Sequence, residues 1–398
     1  MSTLSKFDLL WYLSQIENPT TKKLEEYIKR HIAFEKTKPA AIRSRIRGLI
    51  KDGTVTKNLT LLENEKTINC LAFIFWSKLR SKDYNIPLNT RATSIFKAVF
   101  EKTEAETMEI IKETGLSRPT VQKTIKILAE NSFFQIKKKK PIIARANLND
   151  LTFFYTNFLN MQFNSFLHRV DVPNLPNIQS KILEGKLIQL HVYSTTVTEG
   201  NTALQEDVKK VFENRPVSLT PIEVEEILNA KKAIELLYTF YKEKITIEKI
   251  KILHKAITNN ILDSAGNMYY GKKRVVGSEY IFPSSKNEID IVLSALLNFI
   301  EKYEKKISPL ILAPILHFIF VSIHPFADGN GRVARLLHSW ILLRAGYPLF
   351  VFDPNRRNKY FDLIEEGRRS CIDSFIQFCL EEHFKSITDL IKQEKAPK

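Results

Sequence analysis

Cysteine is scarce in this 398-residue chain: only Cys70, Cys371 and Cys379 occur, and no two share a Cys-x-x-Cys spacing. That excludes a disulfide framework and a cysteine-built zinc site, and it fits a reducing compartment. Long hydrophobic runs are missing as well. The richest stretch, 311–323, holds Pro314 and His317 and falls short of the roughly 18–20 residues a membrane span needs. A buried core helix is expected there instead. The first residues, Met-Ser-Thr-Leu-Ser-Lys-Phe-Asp, carry an acid at position 8 and lack the apolar core of a secretion signal. The expectation is a cytoplasmic protein without membrane attachment. No Gly-x-x-x-x-Gly-Lys-Ser/Thr phosphate loop occurs, and the Lys272-Lys273 pair after Gly271 does not make one.

What is present suits packed cores. Hydrophobic residues make up 44% and aromatics 11% of the chain, unlike a disordered composition, and the length implies two to four units. The net charge of +16 is uneven. Residues 1–150 hold 28 Lys and Arg against 16 Asp and Glu, and the rest of the chain 32 against 28. Most of the positive field therefore sits on the N-terminal third, where it can attract a polyanion or simply stay solvated.

That third reads as two copies of one plan. Residues 7–15 and 21–32 suit two helices, and Pro39 opens a third with Ile42, Ile46, Leu49 and Ile50 on one face. Asp52-Gly53 then turns into a short strand signal, Thr54-Val55-Thr56. In the second copy, Thr103 and Glu106 have the spacing of a capping box for a helix through Ile111. Thr114-Gly115-Leu116-Ser117 turns the chain into a helix with Val121, Ile125 and Leu128 inward and Arg118, Thr120, Gln122, Lys123 and Lys126 outward. Phe133-Phe134-Gln135-Ile136 and four lysines, 137–140, follow. A shift of 79 positions aligns Leu49 with Leu128, Asp52 with Asn131 and Gly53 with Ser132. Both copies resemble winged helix-turn-helix domains, whose third helix enters a DNA major groove. Arg43, Arg47, Lys123 and Lys126 are the candidate DNA contacts, with protein docking or dimerisation as the alternative use.

The expected fold class is mainly α. Two small winged helix-turn-helix domains, 1–80 and 81–150, precede a packing segment at 151–182 and a helical domain at 183–398. Within 151–182, Phe153, Phe154, Phe158, Leu159, Phe163 and Phe166 suit a packing helix or a homodimer contact, ended by Pro173 and Pro176. The helical domain, with its core at about 245–385, is interrupted once, at 266–283.

Residues 324–335, His-Pro-Phe-Ala-Asp-Gly-Asn-Gly-Arg-Val-Ala-Arg, concentrate the chemistry. Pro325 forces the chain out of the preceding apolar helix. Gly329-Asn330-Gly331 lets successive N–H groups converge on one point, and a new helix starting near Arg332 adds the positive end of its dipole. Arg332 and Arg335, three apart, can both point at phosphate. Asp328 is an oxygen ligand suited to Mg²⁺. His324, with an ordinary pKa near 6.5, can accept a proton at neutral pH. A base, a metal ligand, an anion nest and two arginines within twelve residues make a site for phosphoryl or nucleotidyl transfer.

This segment matches the Fic family motif, His-Pro-Phe-x-Asp/Glu-Gly-Asn-Gly-Arg-x-x-Arg, at every defined position, and lacks the lysine that marks the Doc kinase branch. The resemblance implies transfer of AMP from ATP to a Ser, Thr or Tyr hydroxyl of a target protein. In that scheme His324 is the base and Asp328 holds Mg²⁺. Asn330 with the Gly329 and Gly331 amides cradles phosphates, and Arg332 and Arg335 steady the β- and γ-phosphates. Residues 273–280 followed by Pro283 resemble the family's β-hairpin flap, with Val276, Gly277, Ser278 and Glu279 lining the pocket. Tyr360 stands where the family places an aromatic against adenine.

Thr195-Thr196-Val197-Thr198-Glu199-Gly200 resembles the family's inhibitory motif, Ser/Thr-x-x-x-Glu-Gly/Asn, on a helix near 190–205. A Glu199–Arg335 pair would engage the guanidinium that the γ-phosphate needs. The same glutamate can orient a water that removes AMP, so two directions of reaction stay open. A third reading is a DNA-binding regulator whose Fic domain senses nucleotide.

Overall fold

A computed structural model describes residues 4–30, 37–163, 170–172, 181–275 and 277–395. The molecule is mainly helical and divides into two compact units. One comprises 1–146, 151–162 and 290–295; the other comprises 147–150, 163–289 and 296–398. Among the described residues no helix is long and apolar enough to cross a membrane.

Both sequence copies lie in the first unit. The first contributes α1 (Lys6–Ser14), α2 (Thr21–Lys29) and α3 (Pro39–Lys51), closed by a single bridge between Val55 and Leu61. Then come α4 (Glu65–Leu79), α5 (Asn85–Leu88) and α6 (Thr90–Lys102). The second copy follows as β1 (Glu104–Glu106), α7 (Thr107–Thr114), α8 (Arg118–Glu130), β2 (Phe134–Lys139) and β3 (Ile142–Ala146), and α9 (Asp150–Phe158) comes next. The strands form an antiparallel sheet in the order β1-β3-β2.

The 79-residue shift superimposes α3 on α8 end for end, and their C-termini share one geometry. Gly53 and Ser132 take φ +70° and +69°. Thr54 N–H reaches the Leu49 carbonyl at 3.1 Å, and Phe133 N–H reaches that of Leu128 at 2.9 Å. A left-handed residue past the last turn satisfies the orphan carbonyls in each copy.

Two local expectations shift. Thr103 ends α6 with φ +73° instead of capping the next helix. Residues 104–106 pair with β3, so α7 starts at Thr107 with Glu106 and Glu109 as its capping box. Helix α4 gave no periodic signal because residues 69–77 are buried on every face. Phe73 meets Tyr155, Phe133 and Phe158 there, and the Tyr155 hydroxyl donates to the Pro87 carbonyl at 2.6 Å. Of the earlier expectations, Ile32, Phe166, Pro173 and Pro176 lie outside the described residues.

The second unit runs α10 (Lys181–Thr198), α11 (Gln205–Phe212), α12 (Pro221–Phe240), α13 (Ile247–Thr258), the two ends of α14 (Lys286–Tyr303, whose residues 290–295 count with the first unit), α15 (Pro309–Ile323) and α16 (Asn330–Arg344). A 3₁₀ turn (Pro354–Arg356), α17 (Arg357–Arg369) and α18 (Asp373–Lys395) complete it. Every residue of α15 from Leu310 to Ile323 is buried. This is the apolar run too short for a membrane, acting as a central core helix. Helix α16 packs along it, and α10, α12 and α13 also touch α16. The junction of α15 and α16 is thus fixed by core packing on several sides.

Candidate active site

The α15–α16 junction is residues 324–329. His324 terminates α15 in the left-handed region, φ +54° and ψ +59°, with its N–H on the Phe320 carbonyl at 2.9 Å. Such a conformation costs a non-glycine residue about 1–2 kcal/mol, and core packing on either side holds it. The partly exposed imidazole sits 4.6 Å from the Phe282 ring. Burial, then the nearby Arg368 charge, lower its pKa from 6.5 to about 4, against the opposing pull of the Val321 carbonyl and Glu199. The ring is therefore neutral at pH 7, more completely so than an unperturbed histidine, and a weaker base than one.

Asn330 is buried and clips the loop shut. Its side chain accepts from Phe326 N–H and donates to the Phe326 carbonyl, both at 2.9 Å. The side-chain amide expected to cradle phosphate is thus bonded within the loop. Gly329 caps α16 at φ +76°, and a Cβ there would meet Thr258 at 3.0 Å. His254, on α13, stacks on Phe326 with centroids 3.7 Å apart and rings 4° from parallel. Its Nδ1 accepts from Gly266 N–H at 2.9 Å, so Nε2 carries the proton and donates to the Asp328 carbonyl at 3.0 Å.

Helix α10 delivers the Thr195–Glu199 segment to the same place. Arg335, fully buried on α16, donates Nε to Thr195 Oγ1 at 2.7 Å and Nη2 to the Thr195 carbonyl at 3.2 Å. Nη2 also meets Glu199 Oε1 at 2.5 Å. Its remaining nitrogen, Nη1, is buried without a hydrogen bond, and the Tyr360 hydroxyl also acts on the guanidinium. A Cβ added to Gly331 would stand 2.4 Å from Glu199 Oε1. The carboxylate therefore lies over the first turn of α16, where the helix N-terminus favours negative charge.

Arg332, only 4% exposed, donates Nη1 to Glu226 Oε1 at 3.1 Å and Nη2 to Asp328 Oδ2 at 3.3 Å. Glu226 Oε2 in turn accepts from Asn201 at 2.9 Å, two residues beyond Glu199. Asp328 is 61% exposed, with Oδ1 accepting its neighbour Gly329 N–H at 2.7 Å. No cluster of three His, Cys, Asp or Glu groups able to hold a metal occurs among the described residues. Asp328 is the carboxylate that would hold Mg²⁺, a hard cation served by oxygen ligands; in this structure its Oδ2 pairs with Arg332.

The segment expected as a β-hairpin forms no strand among its described residues. Ser278 N–H closes on the Val275 carbonyl at 3.1 Å, with Gly277 at φ +80°, a tight turn without a ladder behind it. Val276 lies outside the described residues; Gly277 and Glu279 are exposed. Ser278 Oγ donates to Glu365 at 2.8 Å, and Arg368 stacks 4.0 Å from the Tyr280 centroid. These bonds to α17 hold the segment, where strand pairing was expected.

Tyr360 is not placed for adenine. It is 1% exposed, its hydroxyl lies 2.7 Å from His317 Nε2, and Phe352 stacks on it at 5.0 Å. It is a core tyrosine with neither face open. Sequence reading also missed His254, Glu226 and Arg368, which serve the loop from α13, α12 and α17 and have no local motif around them.

Residues 244–342 match the profile of the Fic/DOC family. Among curated proteins, the chain is similar to protein adenylyltransferase Fic of Drosophila willistoni, 28% identical over 193 residues, covering 47% of this chain and 38% of that one. The Aedes aegypti counterpart is 26% identical over 208 residues, covering 51% and 41%. The chain thus spans less than half the length of these relatives. Among solved structures, a Fic domain containing signaling protein from Bacteroides thetaiotaomicron aligns at 23% identity with TM-score 0.47, over 55% of this chain and 92% of that one. Fic-1 from C. elegans aligns at 18% with TM-score 0.47, over 89% and 97%.

Proposed function

We propose that the protein transfers AMP from ATP to a hydroxyl group of a protein, itself included, and that Glu199 restrains the reaction. The carrying observation is the Glu199 carboxylate over Gly331 and against Arg335. A helix N-terminus beside a buried arginine favours an anion, and the carboxylate seated there supports a phosphate in the same position. In this reading the neutral His324 takes the proton from the acceptor hydroxyl. The oxygen attacks the α-phosphorus of ATP, the new P–O bond forms, and pyrophosphate leaves. Arg335, freed from Glu199, and the first N–H groups of α16 steady the phosphates. Asp328 would hold Mg²⁺, which neutralises charge on the phosphate oxygens. With the carboxylate in place, phosphate and Glu199 compete for one guanidinium. Removal of AMP would be a separate hydrolysis in the same site: a water held on Glu199 attacks the phosphorus, the bond to the target oxygen breaks, that oxygen takes a proton, and AMP leaves.

The test is incorporation of α-labelled ATP. Glu199→Gly is expected to label itself strongly, and Glu199→Gly combined with His324→Ala not at all. An inert Glu199→Gly would overturn the restraint.

A second reading concerns the first unit. The exposed Arg43 and Arg47 on α3, and the exposed Arg118, Lys123 and Lys126 on α8 beside the four exposed lysines 137–140, support contact with DNA. Gel shifts at graded salt should lose roughly one unit of slope for each of Lys123→Ala and Lys126→Ala. Unchanged binding would count against it.

A further inference from the structure

Arg368 stands apart from the loop in sequence, yet it meets both ends of the chemistry. It is a 5% exposed side chain on α17. Nη2 donates to the Val321 carbonyl at 3.0 Å and Nε to Ser322 Oγ at 3.3 Å, so it grips the last turn of α15, which presents His324. Its guanidinium lies 4.0 Å from the Tyr280 centroid and 5.4 Å from that of Phe282. Phe282 in turn packs on His324 at 4.6 Å. Nη1 pairs with Glu365 at 2.5 Å, and Glu365 also accepts from Ser278 Oγ. One buried cation therefore ties together the helix end carrying the base, Ser278 by way of Glu365, and the aromatic pair between them.

We infer that Arg368 is a positioning residue for the proposed transfer: it fixes His324 and residues 278–282 in one register. This rests on the reading of His324 as the base. An arginine serves here because its planar fork bonds two acceptors on α15 and one on α17 while its face stacks on rings, which a lysine cannot do together. Its charge has a second effect. The groups whose charge bears on His324 are Arg368 from α17, Lys273 from the segment before the turn, and Glu199 from beyond α10. Arg368 is the foremost of these and disfavours a proton on the ring.

Two substitutions separate the effects. Arg368→Gln removes charge and fork; Arg368→Lys keeps the charge alone. The His324 imidazole is followed by NMR against pH, assigned by comparison with His324→Ala. Transfer of labelled AMP is followed in the Glu199→Gly background. Arg368→Gln should raise the His324 midpoint and lower kcat about ten- to hundredfold, the scale of a roughly 1 Å misplacement, with KM for ATP unchanged. Arg368→Lys should hold the midpoint near its native value while kcat still falls. If Arg368→Gln does not fold, Tyr280→Leu removes the stack together with the Tyr280 hydroxyl's bond to Asp150, and Tyr280→Phe, which loses only that bond, is its control. Tyr280→Leu should lower kcat below that of Tyr280→Phe without moving the midpoint. A midpoint unmoved by Arg368→Gln, or a KM that rises in step with the fall in kcat, overturns the inference. A Glu199→Gly parent that transfers no AMP overturns the functional reading instead, and the NMR midpoint still judges Arg368.

Discussion

Replacing Glu199 by glutamine keeps the shape of the side chain and removes its charge. Arg335 is 1% exposed and Glu199 26% exposed, so the pair is screened only on the carboxylate side. A charge-assisted hydrogen bond to a buried partner is worth about 1.5–3 kcal/mol. Two consequences of opposite sign follow. The nucleotide-free fold loses about 2 kcal/mol, because Arg335 keeps its bonds to Thr195 but loses its counter-charge. ATP affinity rises by a similar amount, about thirtyfold at 1.4 kcal/mol per decade, because phosphate no longer competes with a carboxylate over Gly331. Isothermal titration of wild type and Glu199→Gln with ATP and Mg²⁺ reads the second effect. Thermal melts with and without ATP read both, since ligand binding restores stability by mass action. Equal ATP affinity in the two proteins would refute the idea that the carboxylate occupies the phosphate position.

Gly331→Ala should destabilise the wild type, because its Cβ would stand 2.4 Å from Glu199 Oε1. The same change in Glu199→Gly should cost little, so a double-mutant cycle by urea denaturation should give a coupling above about 1 kcal/mol. Additive costs would argue against the contact. His254→Ala leaves the Gly266 N–H and the Asp328 carbonyl without their partner, which should cost about 3 kcal/mol in the same assay; an unchanged midpoint would remove His254 from the loop's support. Acid should weaken the fold. Burial lowers the pKa of His191 to about 4 and of His383 to about 3. The unfolded chain takes up protons on these rings near pH 6.5 and the folded chain does not, so stability is complete above pH 6.5 and falls toward pH 4. For His191 the loss is about 3 kcal/mol at most, and it should shrink in His191→Gln, as read from denaturation midpoints against pH.

The loop was legible in part because its parts are contiguous: Pro325 ends α15 and Gly329 takes φ +76°, while Gly331 is a helical residue whose missing side chain makes room for Glu199. The C-terminus of α3 was legible for the same reason, since Asp52-Gly53 is a local turn signal; at α8 the left-handed residue is Ser132, whose type does not announce it and which only the alignment of the two copies marks. Residues acting through space were not. His254 lies 74 residues before the carbonyl it holds, and Glu226 lies 106 before Arg332. Nothing in the sequence around either marks a role. Tyr360 shows the opposite failure, a position inferred from resemblance that the core claims through His317. At 273–283 the residues suit a strand, yet Glu365 and Arg368 on α17 supply the partners that a ladder would have provided.

Intact-mass spectrometry of Glu199→Gly incubated with Mg²⁺ and each nucleoside triphosphate in turn is the most direct measurement. The proposed chemistry predicts an added adenylyl mass with ATP, lost when His324→Ala is introduced alongside. A phosphoryl increment, or an adduct that survives the loss of His324, would contradict it.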